Sequence, residues 1–354
     1  MISYDVTECG QPLVKSERAT PQPVGDQVLV RIEAAGVCHS DLHIWHGSYD
    51  LGHGKKLSMA DRGLKLPLTM GHEIAGEVIA VGDAVQGVSV GRRYVVFPWH
   101  GCGECSVCRR GDENLCLAGK SMGVFQPGGY ADHVLVSHAR YLVDIGDMPP
   151  VQAAPYACSG LTTYSAIKKI PAQVLKDERL VIFGAGGLGL MAVLLAKALG
   201  SAGVIVIEPD EAKHAAALQA GAQAVFSPKQ DGAMAQVRQA AGGAVWAIID
   251  CVGSSQTVQA GIDLLTKGGQ LVQIGLFGGH IDLPTPSMAL RAITYQGTYV
   301  GNLRELQELM QLVKDRQLPP VPTTCMHFSK AFTALLALEE GKAVGRQILT
   351  PQGA

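Results

Sequence analysis

Short apolar runs alternate with amphipathic stretches through the middle of the chain, from about residue 162 to residue 299. The runs are rich in valine, isoleucine and leucine, and they occur in RLVIFGAGGLG, GVIVIEPD, AIIDCVG and GGQLVQIG. Alanine-rich segments with helical spacing separate them, for example MAVLLAKALG and EAKHAAALQAG. Fully apolar strands joined by helices are typical of a parallel sheet that helices cover on both faces. The pattern therefore predicts an α/β fold built on a doubly wound parallel sheet.

The segments on either side have a different pattern. QVLVRIEAAGV near the N terminus is typical of a β-strand, and NLRELQELMQLVKD near the C terminus has the i, i+3, i+4 apolar spacing of an amphipathic helix. The chain has 354 residues, whereas a single core stops growing at roughly 250 to 300 residues. We therefore expect two domains: residues 160–299 around the parallel sheet, and residues 1–159 joined by residues 300–354.

The charge balance narrows the range of partners. Lysine and arginine number 29 and aspartate and glutamate 31, which gives a net charge of -2 and no basic excess for nucleic acid. No apolar run reaches the roughly 18 residues of a membrane span. MISYDVTECG lacks the pattern of a signal peptide, and the nine cysteines are an odd number. We expect a cytoplasmic enzyme that binds neither nucleic acid nor membranes.

Four cysteines are packed closely in GCGECSVCRRGDENLC. They are Cys102, Cys105, Cys108 and Cys116. Tetrahedral zinc in structural sites takes such a closed shell of four thiolates. A cluster of disulfides is the alternative, but the odd cysteine count and the length of the chain argue against a disulfide scaffold. The spacing predicts a structural zinc site.

Three further soft or borderline ligands come from separate segments, AAGVCHSDLH, TMGHEIAGEV and PYACSGLTTY. They are Cys38, His72 and Cys158. A catalytic zinc has three protein ligands and one open position for water or substrate. Distant ligands are weaker support than a tight cluster, since a single cysteine is often a small buried thiol.

A glycine-rich loop follows the apolar run at 180–183 and opens a helical stretch that reaches about residue 199. In GAGGLG its glycines are Gly184, Gly186 and Gly189. Between a strand and a helix, the first glycine allows a tight turn, the second lets the backbone approach a pyrophosphate, and the third packs helix on strand. Glu208 stands at the end of the next run, where a carboxylate binds the adenosine ribose and repels a 2′-phosphate. The pattern predicts a Rossmann domain that prefers NAD to NADP.

These motifs share their order with a known family. GVCHSDLH, GHEIAGEV, the four-cysteine segment, ACSGLTT and GAGGLG together resemble the zinc-dependent medium-chain alcohol dehydrogenases over essentially the whole chain. The resemblance implies two zinc ions per subunit, with Cys38, His72 and Cys158 at the catalytic one. It also implies that the domain outside the parallel sheet is a partly open, β-barrel-like (GroES-like) catalytic domain, with the active site in the cleft between the domains.

The resemblance implies roles for further residues. Glu73 lies beside the catalytic metal and Asp41 orients a ligand from behind, while Ser40 and His43 relay the alcohol proton through the cofactor ribose to solvent. Around the cofactor it implies roles for Gly187, Leu188, Thr162, Leu276, Lys213 at the ribose and Arg346 at the pyrophosphate. Trp99 is expected beside the substrate, with Trp45 as a second candidate wall. For His39, His46, His53 and His100 we expect surface positions.

The segment between His43 and His72 is about ten residues longer than the resemblance leads us to expect. Its cations Lys55, Lys56, Arg62 and Lys65 could meet a distal carboxylate of a substrate, although a solvated basic loop explains them equally well.

The sequence as a whole predicts an NAD-dependent zinc alcohol dehydrogenase that interconverts a primary alcohol and an aldehyde. An ω-hydroxy acid or an aromatic alcohol is the alternative substrate within the family. A metal-free quinone or enoyl reductase is disfavoured because such relatives lack the three catalytic ligands. A non-catalytic nucleotide-binding or redox-sensing protein is the remaining alternative. The resemblance also implies a homo-oligomer, a tetramer rather than a dimer.

Overall fold

The computed structural model describes residues 1–352. The strands are β1 (Ile2–Val6), β2 (Val14–Glu17), β3 (Val28–Val37), β4 (Ser48–Asp50), β5 (Lys56–Ser58), β6 (Leu68–Thr69), β7 (Glu73–Val81), β8 (Arg93–Val96), β9 (His133–Val136), β10 (Leu142–Asp144), β11 (Leu180–Phe183), β12 (Val204–Ile207), β13 (Ala224–Phe226), β14 (Ala247–Asp250), β15 (Gln270–Gln273), β16 (Thr294–Gly297), β17 (Thr323–His327) and β18 (Arg346–Thr350). The helices are α1 (His39–His46), α2 (Ser106–Arg109), α3 (Pro150–Ala153), α4 (Ser159–Lys168), α5 (Ala172–Asp177), α6 (Gly187–Ala198), α7 (His214–Ala220), α8 (Ala233–Ala240), α9 (Ser255–Leu264), α10 (Thr285–Arg291), α11 (Leu303–Arg316) and α12 (Ala331–Glu339).

Six strands form the predicted parallel sheet, in the order β13-β12-β11-β14-β15-β16. Every neighbouring pair runs parallel. The central strands β11, β12 and β14 are buried at every position because helices cover both faces, as their unbroken apolar runs require. The strand order reverses between β11 and β14, so the carboxyl ends of these strands open onto a crevice suited to a ligand.

A second sheet of mixed direction follows the path β10-β8-β7-β3-β18-β17, and β9 also pairs with β3. Two register shifts interrupt the long antiparallel pairing of β3 with β7, and such bulges increase strand twist. The described path has two ends, at β10 and β17, so this sheet is barrel-like but open. The strand predicted near the N terminus is β3 of this sheet. The predicted amphipathic helix is α11, and its apolar residues Leu306, Leu309 and Val313 are buried.

The chain passes from one sheet to the other at two places. α4 begins at Ser159 and leads toward the parallel sheet, and the segment after β16 leads back into α11. The boundaries predicted between residues 159 and 160 and between residues 299 and 300 lie near these two crossings. The division of the chain into two domains at these residues stays a prediction. None of the helices in the described part of the chain is long and apolar enough to cross a membrane.

The longer segment between His43 and His72 forms a hairpin of β4 and β5. Its tip reaches the parallel-sheet side of the molecule, where the ring centroid of His53 lies 3.4 Å from that of His280. The hairpin therefore lies across one end of the cleft between the two sheets.

Candidate metal centre and active site

The three distant ligand candidates meet because each one ends or begins an element at the same point. Cys38 lies between β3 and α1, His72 directly precedes β7, and Cys158 directly precedes α4. Pairing of β3 with β7 brings the first two together, since Gly36 is opposite Glu73 in the register. One sulfur or nitrogen atom from each residue lies within 4.8 Å of the others, and all three residues are buried. The structure thus assembles the predicted triad.

The geometry and chemistry of this donor set fit zinc. The two sulfurs are 4.0 Å apart, close to the about 3.8 Å that tetrahedral zinc with about 2.3 Å bonds imposes. The hydrogen bond with Cys158 lowers the pKa of the Cys38 thiol well below its ordinary value and raises that of Cys158. Cys38 is also the N-cap of α1, where the helix dipole favours a thiolate. Nε2 of His72 is buried without a hydrogen-bond partner among residues 1–352, as a metal-facing nitrogen requires.

Asp41 contacts the His72 imidazole at its Nδ1 side. Its Oδ1 lies 3.1 Å from Nδ1 of His72, and both side chains are fully buried. Its Oδ2 accepts hydrogen bonds of 2.9 Å from the Cys38 amide and from the Tyr130 hydroxyl. Burial alone lowers the pKa of His72, but the Asp41 carboxylate raises it well above its ordinary value. The contact orients the ring and leaves Nε2 to face the sulfurs.

Glu73 is beside the triad and is engaged on both oxygens. Oε1 accepts a 3.1 Å hydrogen bond from the Ser159 amide, and Oε2 lies 2.5 Å from a guanidinium nitrogen of Arg346. Position 36 must be glycine here, because a Cβ would lie 2.0 Å from Glu73 Oε2. Arg346 is buried and also lines the cavity at the glycine loop. Its expected contact with a pyrophosphate stays a prediction, and the ion pair with Glu73 is a finding that the sequence did not indicate.

The second candidate site is the lobe of four cysteines at 102–116. Sulfur separations are 3.9 Å for Cys102 and Cys108, 3.4 Å for Cys105 and Cys108, and 3.8 Å for Cys105 and Cys116. All nine cysteines carry free thiols, and a disulfide would need about 2.05 Å. The separations match the about 3.8 Å of tetrahedral zinc. The disulfide alternative is therefore wrong, and the lobe fits a closed zinc site.

Glu113 anchors this lobe to the mixed sheet. The carboxylate is buried, and its Oε2 accepts hydrogen bonds from the Tyr141 hydroxyl at 2.7 Å and the Arg140 guanidinium at 3.0 Å. Burial is the first cause of the raised pKa of Tyr141, and the Glu113 carboxylate adds to it. His100 stacks on Tyr141 with ring centroids 3.8 Å apart and is itself buried. The surface position expected for His100 is wrong, because the stack on Tyr141 buries its ring.

A cavity of about 390 Å³ opens over the glycine loop at the carboxyl ends of β11 and β14. Predicted residues that line it are Cys38, Ser40, Gly184, Gly186, Gly187, Leu188, Gly189, Glu208, Lys213, Leu276 and Arg346. Gly184 has a φ of 93° and makes the turn into α6. At Gly189 a Cβ would lie 2.0 Å from the Gly184 carbonyl oxygen, so only glycine lets the helix pack this close. Thr162 is buried in α4 and is not among the lining residues.

Glu208 stands at the end of β12 as expected, with both oxygens occupied. Oε2 accepts a 2.7 Å hydrogen bond from the Ala185 amide of the glycine loop, and Oε1 accepts one of 2.9 Å from the Asp210 amide. Lys213 reaches Asp210, with Nζ 3.3 Å from a carboxylate oxygen. The Glu208 carboxylate therefore stabilises the glycine loop through its hydrogen bond to Ala185, and it also lines the cavity.

Ser40 and His43 lie one turn apart on α1 and so share one face of the helix. The ring of His43 stacks on Tyr49 with centroids 4.5 Å apart, and its Nε2 is buried without a hydrogen-bond partner in the described chain. Burial lowers the pKa of His43 to about 4. The ordinary value of about 6.5, on which the expected relay rested, is thus not the value at this site.

His39 was missed by the sequence reasoning. It was expected at the surface, yet it lines the glycine-loop cavity and stacks on Phe277 with ring centroids 4.4 Å apart. Being next to Cys38 in CHSDLH is the one signal that could have placed it at the site.

A second cavity, of about 590 Å³, lies between the β4–β5 hairpin and the parallel sheet. Tyr49, Arg62 and Tyr299 line it, and Leu276 lines both cavities. We call it the hairpin cavity. A row of rings connects it to the metal centre, because Trp99 lies 6.0 Å from Tyr299 and 5.3 Å from His72 between ring centroids. Among the insertion's cations only Arg62 lines this cavity; Lys55, Lys56 and Lys65 do not.

Trp45 does not form a wall of either cavity. Its indole packs edge-on against Phe332, and its Nε1 donates a 2.7 Å hydrogen bond to the Gln11 carbonyl. The role suggested for it is wrong because its side of α1 faces the core.

Two family models match the chain. The alcohol dehydrogenase GroES-like domain matches residues 25–147, and the zinc-binding dehydrogenase domain matches residues 187–315. The NAD-dependent alcohol dehydrogenase of Sulfurisphaera tokodaii is 39% identical over 353 residues, which cover 99% of this chain and 100% of the relative. The chain belongs to the zinc-dependent medium-chain alcohol dehydrogenase family. Two cysteines with one histidine, and four cysteines, are donor sets that zinc takes in proteins.

Two further alcohol dehydrogenases are similar to this chain in sequence or in fold. The NAD-dependent alcohol dehydrogenase of Saccharolobus solfataricus is also 39% identical, over 99% of this chain and 100% of its own. The solved alcohol dehydrogenase of Aeropyrum pernix matches the fold with a TM-score of 0.88 at 32% identity, covering 99% and 100% of the two chains. These comparisons confirm the family resemblance and the fold class that the sequence predicted.

Replacing Cys105 with serine is expected to empty the lobe while leaving the zinc at Cys38, His72 and Cys158 in place. Three thiolates no longer make the closed shell, so metal analysis should show about one zinc per subunit in place of about two. The thermal midpoint should fall by more than about 5 °C, because metal binding stabilises the fold. The exposed Cys9 provides the control as Cys9→Ser. A C105S variant with both zinc ions and unchanged heat resistance would contradict the assignment of the lobe.

Proposed function

We propose that this protein is an NAD-dependent zinc alcohol dehydrogenase that interconverts a primary alcohol and an aldehyde. The observation that carries the proposal is the triad of Cys38, His72 and Cys158, whose donor atoms converge within 4.8 Å. Cys38 and Ser40, which are two positions apart in the sequence, also line the glycine-loop cavity. A Lewis-acid metal and a hydride acceptor therefore have adjacent sites in one cleft.

The metal and the cofactor each supply one function. Cys38, His72 and Cys158 would hold zinc, which would supply the Lewis acidity that lowers the pKa of an alcohol, and the glycine loop would hold NAD, which would supply the hydride acceptor. The residues of this chain do the rest: they position both groups, exclude water and remove the proton.

Ser40 and His43 are proposed to remove the proton. The Ser40 hydroxyl lines the cavity beside Cys38, where it can accept a hydrogen bond from the alcohol. His43 is neutral near pH 7, because burial lowers its pKa to about 4. A neutral imidazole keeps one nitrogen free to accept a proton, and the unpartnered Nε2 is that nitrogen. The ring works as an acceptor of low basicity that passes the proton on to solvent.

Glu208 supports NAD as the preferred cofactor. The buried carboxylate borders the cavity at the end of β12, where a 2′-phosphate would meet its negative charge. The hydrogen bond to the Ala185 amide fixes its position. The positive charge of Lys213 at this end of the cavity is partly offset by the carboxylate of its partner Asp210.

Trp99 lines neither of the two cavities, but its place beside the metal ligand His72 supports a preference for primary over branched alcohols. Its ring packs against His72, and a 3.1 Å hydrogen bond from Nε1 to the Ala157 carbonyl fixes its orientation. The side chain is only 4% exposed. Because such a wall cannot move aside, a branched carbon next to the hydroxyl would clash with it.

An ω-hydroxy acid is the second candidate substrate, and Arg62 is the observation that favours it. Arg62 lines the hairpin cavity, which the row from His72 through Trp99 to Tyr299 connects to the metal centre. A guanidinium there can bind a carboxylate at the far end of a chain whose hydroxyl is at the triad.

Replacing Arg62 with alanine tests this candidate. The KM for a medium-length ω-hydroxy acid should rise about threefold to tenfold, because an exposed charge-assisted contact contributes modestly. The KM for the unsubstituted primary alcohol of the same length should not change. Lys65→Ala is the matched control, since Lys65 is in the same segment but does not line the cavity. Equal changes for both substrates, or none, would remove the ω-hydroxy acid candidate.

We also propose a cytoplasmic location and a homotetramer. Nine free thiols, six of them in the two donor sets, are typical of a reducing compartment. Strand β16 forms one edge of the parallel sheet and is exposed at all four residues, so it leaves backbone groups for a second copy. Light scattering after gel filtration measures the mass of the assembly and decides between dimer and tetramer.

The function is tested by the absorbance of reduced cofactor across four substrate classes, with NAD and NADP in parallel. The classes are primary alcohols, secondary alcohols, aromatic alcohols and ω-hydroxy acids. We expect turnover of a primary class with NAD. No turnover of any class by protein that holds both zinc ions would favour the non-catalytic alternative.

A further inference from the structure

The four-cysteine lobe makes two hydrogen bonds to the segment that returns the chain from the parallel sheet to the mixed sheet. Nδ2 of Asn114 donates to the Tyr299 carbonyl at 2.8 Å, and Nδ2 of Asn302 donates to Oδ1 of Asp112 at 3.2 Å. Asn114 and Asn302 are the only two asparagines in the chain. The one side-chain oxygen of Asn114, Oδ1, is buried without a partner among residues 1–352, so the donation from Nδ2 to Tyr299 is what this side chain contributes.

The returning segment at 298–302 is fixed from its other end by a helix. Asn302 is the N-cap of α11, where its Oδ1 accepts a 2.9 Å hydrogen bond from the Glu305 amide. Between the two anchors, Val300 has a φ of 45°, a conformation that β-branched residues rarely adopt. Such a conformation persists only where the surroundings impose it. The lobe on one side and α11 on the other are those surroundings.

Tyr299 connects this backbone segment to the substrate cleft. Its carbonyl accepts the hydrogen bond from Asn114, while its ring lines the hairpin cavity and faces Trp99 at 6.0 Å between centroids. A shift of the backbone at 299 therefore moves the ring relative to Trp99, which borders His72.

We propose that the four-cysteine lobe positions one wall of the substrate cleft, with Asn114 and Asp112 as its positioning residues. Filling of the lobe then affects substrate selectivity as well as stability. This inference rests on the proposed function, because selectivity is read from alcohol turnover. The lobe then has a role at the substrate cleft in addition to binding zinc.

The first test is Asn114→Ala in the zinc-loaded protein. The KM for a bulky primary alcohol should rise about threefold to tenfold, as expected for loss of one hydrogen bond, while kcat, the KM for NAD and the zinc content stay near their original values. The KM for ethanol should change less, because a chain of two carbons is too short to extend from the triad to Tyr299. Leu117→Ala is the control, because Leu117 directly follows the last cysteine of the lobe and is fully exposed. A variant that loses heat resistance with unchanged selectivity would overturn the proposal.

Exchanging the donor and the acceptor of the hydrogen bond between Asn302 and Asp112 should restore this contact. Asn302→Asp keeps the oxygen that caps α11 but places a carboxylate against Asp112, so it should raise the KM for the bulky alcohol as N114A does. Combining it with Asp112→Asn restores one donor and one acceptor and should recover most of the lost selectivity. Failure of the double variant to recover, with its zinc content intact, would also count against the proposal.

A readout without substrate separates this proposal from the function itself. Selective ¹⁵N labelling of asparagine yields two side-chain amide signals, which N114A and N302D assign. Removal of the lobe zinc by C105S should shift both signals, because both amides bond across the junction. Unchanged signals would overturn the coupling even if alcohols are turned over. Shifted signals in a protein inactive on alcohols would instead refute the proposed function and leave the coupling in place.

Discussion

Replacing Cys158 with alanine is expected to abolish catalysis while leaving the fold intact. The Sγ of Cys158 is 4.0 Å from that of Cys38, and with it gone only Cys38 and His72 remain to hold the metal. Lewis-acid stabilisation is worth several kcal/mol, so kcat/KM for a primary alcohol should fall at least about 10³-fold. Metal analysis should show that only the zinc of the four-cysteine lobe remains.

Cys325 supplies the control for this variant. It is a half-buried thiol in β17, outside both donor sets, so Cys325→Ala removes the same atom without touching a ligand. Its zinc content and turnover should match those of the unmodified protein. If C158A kept both zinc ions and more than about a tenth of its turnover, the three-residue metal centre would be wrong.

Replacing Gly189 with alanine should give the second largest effect, by displacing the glycine loop. The added Cβ would lie 2.0 Å from the Gly184 carbonyl oxygen, and neither backbone atom can move without shifting α6 or the loop. Overpacking of this kind costs about 1 to 3 kcal/mol. We expect a lower midpoint of unfolding and a KM for NAD that rises about tenfold to a hundredfold.

A substitution at Gly186 tests the effect on cofactor binding without an effect on packing. A Cβ at Gly186 meets nothing within 4 Å, and its φ of -71° suits any residue. Gly186→Ala should therefore leave the unfolding midpoint unchanged and weaken NAD binding alone, because the backbone at this position must approach the pyrophosphate. NAD titration followed by fluorescence, alongside thermal unfolding, measures both quantities. If G189A bound NAD as tightly as the unmodified protein, this loop would not be the cofactor site.

The features predicted well from the sequence are those that local patterns determine. The strands of the parallel sheet are unbroken apolar runs, and the glycine loop lies between one such run and its helix. The lobe could be predicted because its four thiols are within fifteen residues of one another. Cys38, His72 and Cys158 are far apart in sequence, so their assembly was implied by the family resemblance and not by spacing.

The features that were missed depend on contacts between distant segments. Arg346 pairs with Glu73, His100 stacks under Tyr141, and Asn114 bonds to the Tyr299 carbonyl. No periodicity or motif encodes such pairs, because each depends on how two elements pack. The shifted pKa of His43 has the same origin: burial produces it, and burial is set by the surrounding fold.

The most direct test of the metal centre is the initial rate of NAD reduction by a primary alcohol, measured before and after selective removal of the zinc at Cys38, His72 and Cys158. We expect turnover to fall to background when the zinc content drops from about two to about one per subunit, and to return when zinc is added back. Unchanged turnover after loss of this zinc would refute a catalytic role for the three ligands, as would the absence of alcohol-dependent reduction by protein with both sites filled.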